Sequence, residues 1–126
     1  MILDASALLA FLLSEPGEQR VAEALLDGAT MTTVNFAEVA ARYVSRGATA
    51  RAESLLQRLP VALVAVDEDL AEQSAHMASL AWCAPLSLGD RICLALGQRT
   101  EKTILTADRS WLAIAGRVGA RIELVR

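Results

Sequence analysis

Met1-Ile2-Leu3-Asp4-Ala5-Ser6-Ala7-Leu8 opens the chain with an apolar triplet, one acid and the start of a helical run that continues to Leu13. The triplet reads as a short buried strand, the run behind it as a buried helix, and Asp4 stands at their junction. The same pattern recurs. Thr30 to Val34 reads as a strand, followed by a helix that Asn35 opens and that runs through Tyr43 to Arg46, with Gly47 as its stop. Thr103 to Thr106 reads as another strand, with a helix from Asp108 to Ala115 behind it. Val61 to Val66 is a continuous Val-rich run that suits a strand covered on both faces, and Arg121 to Val125 is a final strand. Alternating strands and helices predict an α/β fold, a mostly parallel central sheet flanked by helices on both faces, with residues 1–126 as one domain.

The remaining segments fit between these. A second helix starts after the Pro16-Gly17 break and ends near Asp27-Gly28. Thr49 to Leu59 is amphipathic, with Leu55, Leu56 and Leu59 on one side, and Pro60 ends it. Asp67 to Trp82 reads as a helix, and after Pro85 another runs from Ser87 to Gln98. No linker or repeat divides the chain.

At 126 residues the chain matches the usual domain size of roughly 100 to 150. Hydrophobic residues make up 54% and aromatics only 4%, so the core must be built from Ala, Leu and Val. The apolar surplus points to surface covered by another chain; the plainer reading is an Ala-rich helical interior. A net charge of -3 gives no general attraction to nucleic acid, so phosphate binding must be local or metal-mediated. Cys83, Cys93 and the one histidine, His76, lack zinc-site spacing and suit reduced cysteines in a cytoplasmic protein. Ala5 to Leu13 is preceded by an acid rather than a basic segment and is ended by Ser14-Glu15-Pro16-Gly17, too early to span a membrane.

Open α/β sheets bind ligands beyond the carboxyl ends of their strands. Asp4 follows the first strand, Glu38 lies in the first turn of the helix after the second, and Asp108 follows the Thr103 to Thr106 strand. These acids therefore share one edge. Asp90 has no strand immediately before it, and periodicity does not place it there. Each acid alone reads as a helix cap: Asn35-Phe36-Ala37-Glu38 as a cap with Glu at N3, Ser87-Leu88-Gly89-Asp90 with similar spacing, Asp4 and Asp108 as simple N-caps. Capping does not require that acids recur on one edge. Carboxylates brought together repel, and a divalent cation is the usual compensation; oxygen ligands without His or Cys favour Mg²⁺ or Mn²⁺.

Met1-Ile2-Leu3-Asp4-Ala5-Ser6-Ala7-Leu8, Asn35-Phe36-Ala37-Glu38-Val39, Leu86-Ser87-Leu88-Gly89-Asp90-Arg91 and Leu105-Thr106-Ala107-Asp108-Arg109 resemble, in order, the signature segments of PIN-domain toxins of the VapC type. The resemblance implies a parallel sheet between helices and Mg²⁺- or Mn²⁺-dependent endoribonuclease activity leaving a 5′-phosphate and a 3′-hydroxyl. Carried over by position, Asp4, Glu38, Asp90 and Asp108 form the acidic, catalytic and metal-binding site, with Asp4 and Asp90 as direct ligands and Glu38 and Asp108 acting directly or through water. Ser6 and Thr106 match hydroxyl positions that orient a carboxylate or water, or else serve a local turn. Asn35 matches a motif position and also reads as a plain N-cap. Arg91 and Arg109 either balance charge and contact phosphate or are solvated. Trp82 and Trp111 sit among apolar residues and read as packing rather than base-stacking residues. The implied partners are an RNA substrate, a VapB-type antitoxin and a second copy of the chain.

The alternatives are a PIN-like RNA- or protein-binding module without catalysis and a phosphotransfer domain. A haloacid-dehalogenase phosphatase would want a second Asp where Ser6 stands, and a receiver domain a Lys after the strand that Lys102 instead precedes.

Overall fold

The structure is a computed structural model that describes residues 1–80 and 82–126, without the side chains at 49, 51, 52, 55 and 56. Its strands are β1 (Ile2–Leu3), β2 (Thr30–Thr32), β3 (Ala62–Val64), β4 (Ile104–Thr106) and β5 (Ile122–Leu124). They form one sheet in the order β3-β2-β1-β4-β5, and every pairing is parallel. The helices are α1 (Ala5–Leu12), α2 (Glu18–Leu26), α3 (Thr33–Val44), α4 (Thr49–Arg58), α5 (Glu68–His76) and α6 (Leu88–Thr100), with 3₁₀ turns at Met77–Leu80 and Arg109–Ala113.

Side chains alternate across a strand, which divides the core in two. Ile2 and Ile104 face a cluster with Leu70 of α5 and Ile92, Cys93 and Leu96 of α6, closed by Trp111 and Ile114. Leu3 and Leu105 face the opposite cluster, with Leu8 of α1, Val21 and Leu25 of α2 and Phe36 and Val39 of α3. Both faces of the central strands are thus covered, as their unbroken apolar character predicts.

The departures from the sequence reading have local causes. β3 is shorter than Val61 to Val66 and is not covered on both faces: Ala62 and Leu63 are exposed, because this strand is the sheet edge beside β2. The strand at Thr30 stops at Thr32, whose hydroxyl accepts the backbone N–H of Asn35 and caps α3. Asn35 therefore does not open that helix; it lies in its first turn. The segment expected as one helix from Asp67 to Trp82 is α5 followed by a 3₁₀ turn, with Ala81 outside the described residues. Behind Asp108 there is only the 3₁₀ turn Arg109–Ala113. The expected placing of Leu55 and Leu56 on one side of α4 also lies outside the described residues. No helix among the described residues is long and apolar enough to cross a membrane.

Moving from β1, the chain first adds β2 and β3 on one side, then returns to add β4 and β5 on the other. The order reverses between β1 and β4, where crossovers diverge to opposite faces and leave a crevice at the carboxyl ends. α6 leads into β4 and runs antiparallel to it, so its first turn starts at that same edge. This is what carries Asp90 to an edge that no strand directly before it would provide.

A candidate carboxylate site at the β1–β4 crevice

Asp4 N-caps α1 and is only 3% exposed. Its Oδ2 accepts the Ser6 backbone N–H at 3.2 Å, the Ser6 hydroxyl at 2.5 Å and the Thr106 hydroxyl at 3.0 Å. In turn Ser6 Oγ accepts the Ala107 N–H at 2.9 Å and Thr106 Oγ1 accepts the Asp108 N–H at 3.0 Å. Each hydroxyl has one proton. With both protons directed at Asp4, the 3.1 Å approach of Ser6 Oγ to Thr106 Oγ1 is a contact between acceptors rather than a further bond. All three donors converge on one oxygen of Asp4, leaving Oδ1 free of them, and they favour the ionised form without requiring it.

Electrostatics act against that ionised form. Burial pushes the Asp4 pKa up, and the charge of Asp90 adds to the shift, while the hydrogen bonds from Ser6 and Thr106 oppose it. Glu38 is pushed up by desolvation, partly offset by its hydrogen bond from Asn35, with the charges of Asp4 and Asp90 adding to the rise. Beneath them, the buried Cys93 thiol is pushed well up by burial and then by Asp4, Asp90 and Glu38. Three of the four expected acids therefore share one field. Asp108 is absent from the charges acting on these groups; its Oδ1 caps the 3₁₀ turn by accepting the Ser110 N–H at 2.8 Å. Its link to Asp4 runs through Thr106.

Asp90 is half committed to structure. Its Oδ2 accepts the Ser87 N–H at 2.7 Å while Ser87 Oγ accepts the Asp90 N–H at 3.1 Å, a capping box at the start of α6. Glu38 is exposed and is held from one side by Asn35 Nδ2 at 3.2 Å. Asn35 is fully buried: its amide also donates to the Gly89 carbonyl at 3.2 Å, and its Oδ1 accepts the Thr32 hydroxyl. It ties α3 to α6 rather than serving as a plain N-cap. Gly89 was not among the residues singled out from sequence. A Cβ there would fall 2.5 Å from Glu38 Oε1 and 2.6 Å from Oε2, and only a close approach in space reveals this.

Other expected residues separate. Arg109 is exposed and Arg91 half-buried. His76 ends α5 on the surface, Cys93 is buried and Cys83 half-buried, and both cysteines are free. Trp111 is buried packing, but Trp82 is 74% exposed with the Arg117 guanidinium 5.0 Å from its ring centroid, so the packing reading fails for it.

The donor chemistry suits a hard divalent cation, since every candidate ligand is a carboxylate oxygen and Asp4 Oδ1 has no hydrogen-bond donor of its own. Among the described residues no group of three such side chains is close enough to hold an ion. An ion here would rest on one or two carboxylates and keep several waters, as Mg²⁺ commonly does.

A family model for the PIN domain matches residues 1–117, a span containing the whole crevice and all four acids. The chain belongs to the PIN domain family. Solved structures share this PIN domain's fold at low sequence identity. A toxin–antitoxin complex from Klebsiella pneumoniae aligns with a TM-score of 0.73 and 19% identity, over 99% of this chain and 97% of that one. A DNA-bound VapBC from Salmonella typhimurium aligns at 0.77 and 14%, with the same coverage. VapBC-5 from Mycobacterium tuberculosis aligns at 0.67 and 23%, over 99% and 96%. No curated protein matches the chain by sequence.

Proposed function

We propose that this PIN domain, spanning residues 1–126, is the toxin of a type II toxin–antitoxin pair and a Mg²⁺- or Mn²⁺-dependent endoribonuclease of the cytoplasm. The observation that carries the reading is Asp4: a buried carboxyl at the switch point of a parallel sheet, with three donors fixed on Oδ2, Oδ1 left without one, and Glu38 and Asp90 adding charge of the same sign. Such an arrangement calls for positive charge from outside the chain. A bound Mg²⁺ or Mn²⁺ would supply it, polarise the phosphate and acidify a water molecule.

In this reading Asp4, whose Oδ1 has no donor, and Asp90, with one oxygen left free by the capping box, would hold the ion. Glu38, exposed beside them, accepts the proton of the attacking water or orients that water. Ser6 and Thr106 fix the Asp4 carboxylate. Asp108 acts at one remove, by donating its backbone N–H to Thr106 while its carboxylate keeps the following turn in place. An acidic protein can cleave RNA this way because the attraction for phosphate is confined to the ion.

The partner we propose is a VapB-type antitoxin whose C-terminal segment covers the crevice and sets a basic side chain near the acids, with the toxin itself forming a homodimer. Three structural neighbours being toxin–antitoxin or VapBC complexes supports this choice. The decisive experiment incubates the purified protein with RNA in Mg²⁺, in Mn²⁺ and in EDTA, and maps the ends. Cleavage leaving 5′-phosphates, lost in EDTA and in Asp4→Ala and Asp90→Ala, is the expected result; metal-independent cleavage, or full activity in both folded variants, would overturn it.

A second reading, a PIN-like RNA- or protein-binding module without catalysis, draws on two observations. Asp4, Asp90 and Asp108 all serve as caps, and no three acids lie close enough to enclose an ion among the described residues. RNA binding without cleavage under every metal condition would favour it.

A further inference from the structure

With the Glu38 carboxylate where it stands, residue 89 in the first turn of α6 has room for a hydrogen and nothing larger. A Cβ built on Gly89 would lie 2.5 to 2.7 Å from Oε1, Oε2 and the carboxyl carbon of Glu38, closer than real Cβ atoms come to anything. The conformation of Gly89 does not explain the glycine. It sits in an ordinary helical turn, two residues past the Ser87 N-cap, and is not among the positions with positive φ. The backbone there would accept alanine. The neighbouring carboxylate would have to move to admit it.

The other side of Glu38 is closed by Asn35. Its two Nδ2 protons are divided between Glu38 Oε2 and the Gly89 carbonyl, both at 3.2 Å, and a flipped amide would turn its oxygen onto those two acceptors. One buried amide thus holds the Glu38 carboxylate and also sets how near Gly89 approaches it. Glu38 is otherwise exposed and on a long side chain, so without these two constraints it would sample several rotamers.

We propose that Gly89 is a positioning residue that acts through Glu38: the missing side chain admits the Glu38 carboxylate to the start of α6, where Asn35 holds it beside Asp4 and Asp90. The proposal deepens the nuclease reading given above and rests on it for its consequence, but the placement can be measured apart from any activity.

The test is Gly89→Ala, alone and combined with Glu38→Ala. Alanine favours a helix over glycine, so the single variant should melt at or above the wild-type temperature. The Glu38 carboxylate is the flexible end of the clash and is the group that must move. In the ¹⁵N spectrum of the Asn35 side chain, the proton bonded to Glu38 should therefore shift in Gly89→Ala while its partner, bonded to the residue 89 carbonyl, stays. Mn²⁺ affinity, read by electron paramagnetic resonance, and RNA cleavage should fall by about 10- to 100-fold, the usual cost of losing a group that orients a ligand. In the Glu38→Ala background, adding Gly89→Ala should change neither.

An unshifted Asn35 proton in Gly89→Ala would overturn the proposal, whatever the catalytic outcome. So would an equal further loss in the Glu38→Ala background, which would mean that Gly89 acts through something else. A wild-type protein that neither binds Mn²⁺ nor cleaves RNA, with the Asn35 proton shifting as expected, would sink the nuclease reading and leave the placement of Glu38 standing.

Discussion

Thr106 Oγ1 donates to Asp4 Oδ2 at 3.0 Å and accepts the backbone N–H of Asp108 at 3.0 Å, so one buried hydroxyl at the end of β4 links two acids from opposite ends of the chain. Thr106→Val keeps the shape and removes both interactions, leaving the Asp108 N–H without a partner. Stability to urea should fall by about 1 to 3 kcal/mol, the cost of a buried unsatisfied group. Thr106→Ser keeps the hydroxyl and should recover most of that loss.

Asp4 and Asp90 should separate in their effects on folding. Asp90→Ala loses the N3 half of the capping box as well as a carboxylate, and should cost about 0.5 to 2 kcal/mol in chemical denaturation. Asp90→Asn retains an oxygen for the Ser87 N–H and should unfold close to wild type. Neither variant should cleave RNA. Full folding stability in Asp90→Ala would contradict the capping role.

The pH dependence of the metal-free protein follows from the raised pKa values of Asp4 and Glu38. A folded-state pKa above the unfolded one means that the folded state binds protons more tightly. The stability these two acids contribute is therefore fully present below their ordinary values, 3.8 and 4.5, and is lost as pH rises through the raised folded values. Asp67 is shifted down and acts in the opposite sense, but it is exposed. Comparing wild type with Asp4→Asn in EDTA isolates the Asp4 part: the melting-temperature difference should move in favour of the variant as pH rises. Millimolar Mg²⁺ at neutral pH should reverse that trend in wild type alone.

Asn35→Ala removes the amide between α3 and α6, takes the acceptor from the buried Thr32 hydroxyl proton and removes the side-chain donor from the Gly89 carbonyl. The expected destabilisation is about 1 to 3 kcal/mol. Hydrogen exchange should show it as faster opening of the first turns of both helices; protection unchanged in α6 would argue against the tie.

The two tryptophans should respond differently to acrylamide. Trp111 is inaccessible, whereas Trp82 is exposed against Arg117. Trp82→Phe should leave the remaining emission nearly unquenched and change stability by less than about 0.5 kcal/mol. Strong residual quenching would mean that the core around Trp111 opens.

The arrangement of apolar triplets and helical runs was enough to determine an α/β fold with a parallel sheet, and to set Asp4, Glu38 and Asp108 on its carboxyl edge. For Asp4 and Asp108 that is local information, since an acid one or two residues past a buried strand has nowhere else to be; Glu38 stands six residues past Thr32 and, with α3 opening at Thr33 rather than Asn35, falls in the second turn instead of the first. Asp90 was placed by resemblance, although a helix that feeds a parallel strand must begin at that strand's carboxyl end, so its position was legible once α6 was joined to β4. Only the tertiary structure decided the rest. It divided the acids into three that share a field and one, Asp108, occupied with a cap. It left β3 half bare, because exposure at a sheet edge depends on what packs outside the strand, which an apolar run does not encode. It also turned Asn35 from a presumed cap into a strut and Gly89 into a seat for Glu38, since both roles lie in distances between helices that sequence spacing does not carry.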